Sequence, residues 1–181
     1  MGDLVQRELS REGYEVTAEM AGISAFRCKV KLPGLLFQHG LSGHKEQTVL
    51  IQLDTEPQRY DYVPEVFFLS RWEVRQDIRC CPLPLLLAQK CHAIMDRKRS
   101  KGRDFFDVSF LLGLNVVPDM RYVQQKMKLP TTEALGEALL DHCASLDMEA
   151  MAADVEKFLF DKNGMKGVTR FPQIIRQKWL G

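Results

Sequence analysis

The amino-acid sequence predicts an α+β chain in which a mixed or antiparallel sheet is followed by a helical C-terminal lobe. Up to about residue 80, the apolar stretches are short and bounded by turn residues, as in strands. Beyond that point the apolar residues recur at helical spacing. Because strands followed by a run of helices are typical of the α+β class, we expect a sheet-containing lobe over residues 1–80 and a helical lobe over residues 81–181.

The individual elements follow from local signals. A first helix over Leu4–Gly13 ends at a glycine, a common C-terminal signal. Alternating or β-branched stretches between turn residues predict strands over Tyr14–Met20, Ile23–Leu32, Gln47–Asp54, Val66–Ser70 and Trp72–Ile78. Helical spacing predicts helices from Pro82 or Pro84 to Arg97, and over Asp104–Leu114, Asp119–Lys128, Thr131–Ser145, Met148–Asp161 and Pro172–Trp179. Two turns are expected, at Ala21-Gly22 and Pro33-Gly34, and Asn163-Gly164 is expected to stop a helix.

Composition excludes several classes of protein. The 181 residues are 45% hydrophobic and 27% charged, which is typical of a globular chain. No apolar run approaches the roughly 20 residues that a membrane-spanning helix needs, so we expect no membrane partner. The net charge is +1, so any nucleic-acid contact must depend on local clusters of cations. The five cysteines and four histidines show no disulfide or zinc spacing, which predicts a reduced cytoplasmic protein without structural metal.

Lys90 lies at the centre of an apolar helical stripe. A lysine in that position is costly unless its ammonium group reaches an anion. Its long stem could instead carry the charge to water. We favour the first interpretation, in which Lys90 meets a carboxylate or a phosphate. The stripe consists of Leu83, Leu86, Leu87 and Ile94.

Asp104 and Asp107 share one face of the next predicted helix, because they are three residues apart. That helix is apolar nearly all round, so a carboxylate buried in it needs a cation, and Lys90, Arg97 and Arg103 are the candidates. In the alternative interpretation, Asp104 is the N-cap and Asp107 lies in the first helical turn.

A run of cations precedes this helix, with five positive charges in seven positions. Such a run is often only a solvated loop. Beside a helix N-terminus, however, it also favours contact with phosphate or RNA. The run consists of Arg97, Lys98, Arg99, Lys101 and Arg103.

Asp54 ends the clearest predicted strand, on the face opposite Val49, Ile51 and Leu53. As a plain strand-end acid it needs no function. With other carboxylates on adjoining strands it would suit Mg²⁺, which proteins bind through a few carboxylates together with substrate phosphates.

Taken together, these residues resemble the AbiEii/AbiGii family of nucleotidyltransferase toxins. The resemblance rests on Ala88-Gln89-Lys90 in a Leu-rich helix, on Arg97, and on Arg103-Asp104-x-x-Asp107 before an apolar helix. The strand Ile51-Gln52-Leu53-Asp54 is similar to the family's strand that carries the third acid of a polymerase-β-type site. Gln89 departs from the usual Ala-Glu-Lys. The resemblance covers roughly Tyr14 to Leu114.

The resemblance implies a partial nucleotidyltransferase fold and a Mg²⁺-dependent transfer from a nucleoside triphosphate to RNA, such as tRNA, or to protein. It also implies a bacterial toxin with a cognate antitoxin. Lys90 would steady the triphosphate, Asp104 would arrange the site, and Asp54 would bind metal or act as base, so we expect these three to converge. The residues implied in nucleotide binding are Lys90, Arg97, Arg103 and Asp107.

One family motif has no counterpart in this sequence. The family's Gly-Ser turn and following Asp-x-Asp would precede the helix that begins near Leu4, and the sequence contains neither. We therefore expect either an N-terminally incomplete enzyme or a degenerate member. The alternative is a non-catalytic module that binds nucleotide, RNA or an antitoxin.

Overall fold

The structure, a computed structural model, describes residues 2–21, 26–55, 59–159 and 163–181. The chain forms two compact units, Met1–Asp61 and Tyr62–Gly181. Strands dominate the earlier part and helices the later part, which confirms the α+β class. The hairpin over residues 65–80 belongs to the second unit, and the division into functional lobes at residue 80 stays a prediction.

The first unit is an antiparallel three-stranded sheet with strand order β1-β2-β3. Cys28, Val30 and Leu32 on the central strand are buried, and residues of the first helix pack against them. These three pair with Leu53, Ile51 and Val49, so the predicted two faces of the third strand are confirmed. The elements are α1 (Gly2–Arg11), β1 (Thr17–Ala21), β2 (Phe26–Pro33), α2 (Leu35–Gln38) and β3 (Thr48–Thr55).

The second unit begins with an antiparallel hairpin, β4 (Glu65–Arg71) and β5 (Val74–Cys80). Helices follow, and their shared core includes Leu87, Phe105 and Leu139, none of which is exposed. The helices are α3 (Leu83–Asp96), α4 (Gly102–Gly113), α5 (Met120–Tyr122) with a π-helical turn Val123–Met127, α6 (Thr132–Ala144), α7 (Met148–Glu156), α8 (Asn163–Thr169), and α9 (Phe171–Ile175) with a π-helical turn Arg176–Leu180. No helix among the described residues has the length and apolar character needed to cross a membrane.

Several local predictions were wrong. Asn163-Gly164 begins α8 instead of stopping a helix. A Cβ at Gly164 would lie 2.9 Å from side-chain atoms of Leu159 and Phe106, so the glycine there permits close packing. Leu83 is exposed, because Leu85 points into the core instead. Gly22 of the predicted turn, the first three residues of the predicted strand Ile23–Leu32, and the last two residues of the predicted helix Met148–Asp161 lie outside the described residues.

Candidate functional site

Four of the predicted site residues lie together at the junction of α3 and α4. The ammonium group of Lys90 lies 2.6 Å from Oδ2 of Asp107 and 3.5 Å from Oδ1 of Asp104. The Nε atom of Arg97 lies 2.9 Å from Oδ2 of Asp104. The cluster is therefore two cations interleaved with two carboxylates, which balances its charge.

Asp104 is the buried member of this cluster. It is almost completely buried, and it is the one charged residue among those described that is buried. Its Oδ2 atom forms no aligned hydrogen bond among the described residues, so the contact with Arg97 is one of charge. A buried carboxylate without a counterion is strongly unfavourable, which explains the two cations beside it.

The interpretation of Asp104 as an N-cap was wrong. The N-cap is Lys101, and Asp104 is the third residue of α4. A carboxylate in the first turn still faces the positive end of the helix dipole, so its position adds to its stabilisation. Asp107 lies one turn further along, which brings both carboxylates to the same side of α4.

Lys90 lies at the rim of the cluster. Its side chain is 27% exposed, and that of Asp107 is 36% exposed. Its neighbours Ala88 and Cys91 are fully buried, so the helix is fixed while the ammonium group stays within reach of solvent. An anion from solution can therefore approach this cation if Asp107 turns away.

The N-terminus of α4 is anchored by α7. The backbone N–H of Gly102 donates a hydrogen bond of 3.1 Å to Oδ2 of Asp154. A Cβ at Gly102 would overlap the carbonyl oxygen of Met151, so only glycine permits this approach. The first N–H of the predicted anion-binding helix terminus is thus occupied by a carboxylate of the protein itself.

The run of cations around this cluster is largely exposed. Lys98, Arg99 and Arg103 are exposed and form no ion pair within the described part of the chain. Between residues 90 and 107 there are six lysines and arginines but only three carboxylates. The surface beside the cluster therefore carries an excess of positive charge, which attracts phosphates.

Asp54 belongs to the first unit and has its own partners there. Its Oδ1 accepts a hydrogen bond of 2.8 Å from Nε of Arg27, and its Oδ2 accepts one of 2.8 Å from Gln52. The hydrogen bond from Arg27, followed by that from Gln52, lowers the pKa of Asp54. A lowered pKa makes a carboxylate a weaker proton acceptor. The expected convergence of Asp54 with Lys90 and Asp104 stays a prediction.

A sequence model of one protein family matches residues 4–176, and its description reads "Nucleotidyl transferase AbiEii toxin, Type IV TA system". The chain belongs to the AbiEii family. This match confirms the resemblance and extends it over the helical region that follows Leu114. Comparisons with curated proteins and with solved structures gave no significant match.

Nucleotidyltransferases generally use a divalent metal ion such as Mg²⁺. The described residues of this AbiEii protein do not fit a binding site for this ion. No group of three or more histidine, cysteine, aspartate or glutamate side chains among them could hold a metal ion. Asp104 and Asp107 face cations, and both oxygens of Asp54 already accept hydrogen bonds.

Sequence reasoning missed two long-range contacts, one made by α4 and one by the loop before it, in this AbiEii protein. Asp154 contacts Gly102 across 52 positions of the chain, and His142 contacts Ser100 across 42. Helical periodicity places residues on a helix but does not say which helices meet, so neither contact had a signal in the sequence.

Proposed function

We propose that this chain binds a nucleoside triphosphate at Lys90 and transfers its nucleotidyl group to an RNA such as tRNA, or to a protein side chain. The observation that supports this is the position of the Lys90 ammonium group, held by two carboxylates yet within reach of solvent. The family adds the type of reaction, and its toxin–antitoxin description adds a cognate antitoxin as a further partner.

Binding would proceed by exchange of one anion for another. The phosphate oxygens replace the carboxylate of Asp107 at Lys90, because Asp107 is partly exposed and can turn to water. Asp104 and Arg97 remain paired and hold α3 and α4 in their relative position. Arg103 and the exposed cations of the loop add positive charge near the phosphates. Positioning and charge neutralisation supply most of the catalysis in phosphoryl and nucleotidyl transfer.

The second candidate is a module that binds nucleotide, RNA or an antitoxin without catalysing transfer. The observation that favours it is that the described residues contain no group of acidic, histidine or cysteine side chains that could hold a metal ion. Both candidates rely on the charges at α3 and α4. Only the first requires a covalent product, and the second also admits RNA or an antitoxin as the ligand in place of a nucleotide.

Titration of the purified chain with a fluorescent nucleoside triphosphate tests both candidates. Lys90→Ala removes a charge-assisted contact, so we expect binding to weaken by about 10- to 100-fold. Lys166→Ala is the matched control, because Lys166 is an exposed helical lysine whose ammonium group donates to Asn163 within α8, and it should bind like the unaltered chain.

Transfer is then measured with an α-labelled triphosphate, Mg²⁺ and total tRNA or protein. A labelled product that disappears in Lys90→Ala supports the enzyme. Binding that depends on Lys90 without any labelled product supports the second candidate. Binding that is equal in Lys90→Ala and Lys166→Ala would refute the assignment of Lys90 as the triphosphate residue.

A further inference from the structure

Ser100 and His142 form a hydroxyl–imidazole pair that the proposed site does not use. The Oγ atom of Ser100 lies 3.3 Å from Nε2 of His142, and both side chains are partly buried. In the tautomer protonated at Nδ1, Nε2 accepts the hydrogen bond from the serine hydroxyl. A hydroxyl within reach of a neutral imidazole is the arrangement of an activated nucleophile.

The loop that carries Ser100 is held at the cluster by both of its ends. Arg97 and Asp104, three residues before Ser100 and four after it, are joined by the 2.9 Å contact between Nε and Oδ2. Three residues of chain span at most about 11 Å, so Ser100 cannot lie further than that from the Cα atom of Arg97. Ser100 therefore belongs to a short loop whose two ends meet at the cluster that contains Lys90.

We propose that Ser100 is an internal acceptor of the nucleotidyl group, with His142 as its general base. This inference rests on the proposed function, because it takes the nucleoside triphosphate bound at Lys90 as the donor. The Ser100 Oγ atom attacks the α-phosphorus, and a new P–O bond forms. The bond from the α-phosphorus to the bridging oxygen breaks, pyrophosphate leaves, and the hydroxyl proton passes to Nε2 of His142. The product is a serine-linked nucleoside monophosphate.

The charges around the loop suit this step. Lys98 and Arg99 immediately precede Ser100, and Arg103 follows it, and all three are exposed without an ion pair in the described part of the chain. Negative charge spreads over the phosphate oxygens during transfer, so neighbouring cations lower the barrier.

The test incubates the purified full chain with a nucleoside triphosphate labelled either at the α- or at the γ-phosphate, as its magnesium salt. We expect label from the α-position only, together with a mass increase of one nucleotidyl group on the peptide Asp96–Arg103, which cleavage before aspartate releases and in which Ser100 is the only hydroxyl residue. Direct mapping in the unaltered protein keeps the test valid even where a variant folds poorly.

Three variants separate chemistry from structure. Ser100→Ala should lose the label. His142→Gln can still hydrogen-bond to the hydroxyl but is a poor base, so labelling should fall by about 10²- to 10⁴-fold while the melting temperature is kept. Ser145→Ala is the matched control, because this hydroxyl donates to the backbone carbonyl of His142 and not to its ring, and it should label normally.

The outcomes distinguish this inference from the proposed function. Binding that depends on Lys90 but gives no label on Ser100 overturns the assignment of Ser100 alone. Label from the γ-position, label on another residue, or full labelling in His142→Gln also overturns it. If Lys90→Ala binds the nucleotide as tightly as the unaltered chain does, the proposed function itself is overturned.

Discussion

Arg97→Ala should lower the stability of the chain more than Lys90→Ala does. Lys90→Ala, in contrast, should weaken nucleotide binding more than Arg97→Ala does. Arg97 is the nearer cation to Asp104, whose side chain is only 1% exposed. Two unit charges 2.9 Å apart attract by about 6 kcal/mol at an effective dielectric constant near 20. The guanidinium side chain is 40% exposed, so water offsets more than half of this attraction. We expect Arg97→Ala to lower the free energy of unfolding by about 2–3 kcal/mol.

In Lys90→Ala, each of the two carboxylates still has a counterion or water beside it. Asp104 keeps Arg97 at 2.9 Å, and Asp107, which is 36% exposed, gains water in place of the ammonium group. The expected loss of stability is therefore only about 1 kcal/mol, as for a partly exposed ion pair. Nucleotide binding should show the reverse order, with the larger loss in Lys90→Ala.

Urea unfolding followed by tryptophan fluorescence suits this comparison, because Trp72 and Trp179 both lie in the second unit. Arg99→Ala is the control, since Arg99 is exposed in the same loop without an ion pair among the described residues, and it should stay within about 0.5 kcal/mol. A loss above about 3 kcal/mol for Lys90→Ala, with little effect of Arg97→Ala, would refute this account of the cluster.

Two further predictions concern packing and thiol chemistry. Gly102→Ala should cost about 1–3 kcal/mol of unfolding free energy, because its Cβ meets the Met151 carbonyl oxygen. Gly113→Ala, at a helical position with no atom within 4 Å, should be near neutral, and equal costs in urea unfolding would contradict the close approach of α7. Burial raises the pKa of Cys143 to about 11, so only about one thiol in a thousand is ionised at pH 8. Cys143 should therefore react with iodoacetamide at least about 10-fold more slowly than the half-buried Cys80, and equal rates in peptide mass spectra would contradict its burial.

The sequence was most informative where contacts are local. Lys90, Arg97, Asp104 and Asp107 fall within eighteen consecutive residues, on two successive helices and at the C-cap of the first. Helical spacing and the cost of a buried charge are enough to predict that such residues meet. Pro82 precedes the first residue of α3, so the start of that helix was also accessible to local reasoning.

Tertiary packing decided what local reasoning missed. An Asn-Gly pair usually ends a helix, yet Gly164 lies inside one because Phe106 and Leu159 leave no room for a side chain. The inward position of Leu85 and the exposure of Leu83 likewise depend on which elements cover α3. These outcomes depend on neighbours far away in the chain, which the period of one segment does not identify.

The bond between Gly102 and Asp154 means that the cluster is not self-contained within α3 and α4. A shortened chain that ended before α7 would keep every charged residue of the cluster but would free the first turn of α4. That turn holds Asp104, so fraying there would let water reach the carboxylate and loosen its hold on both cations. Any minimal fragment intended to retain nucleotide binding must therefore extend at least through Glu156.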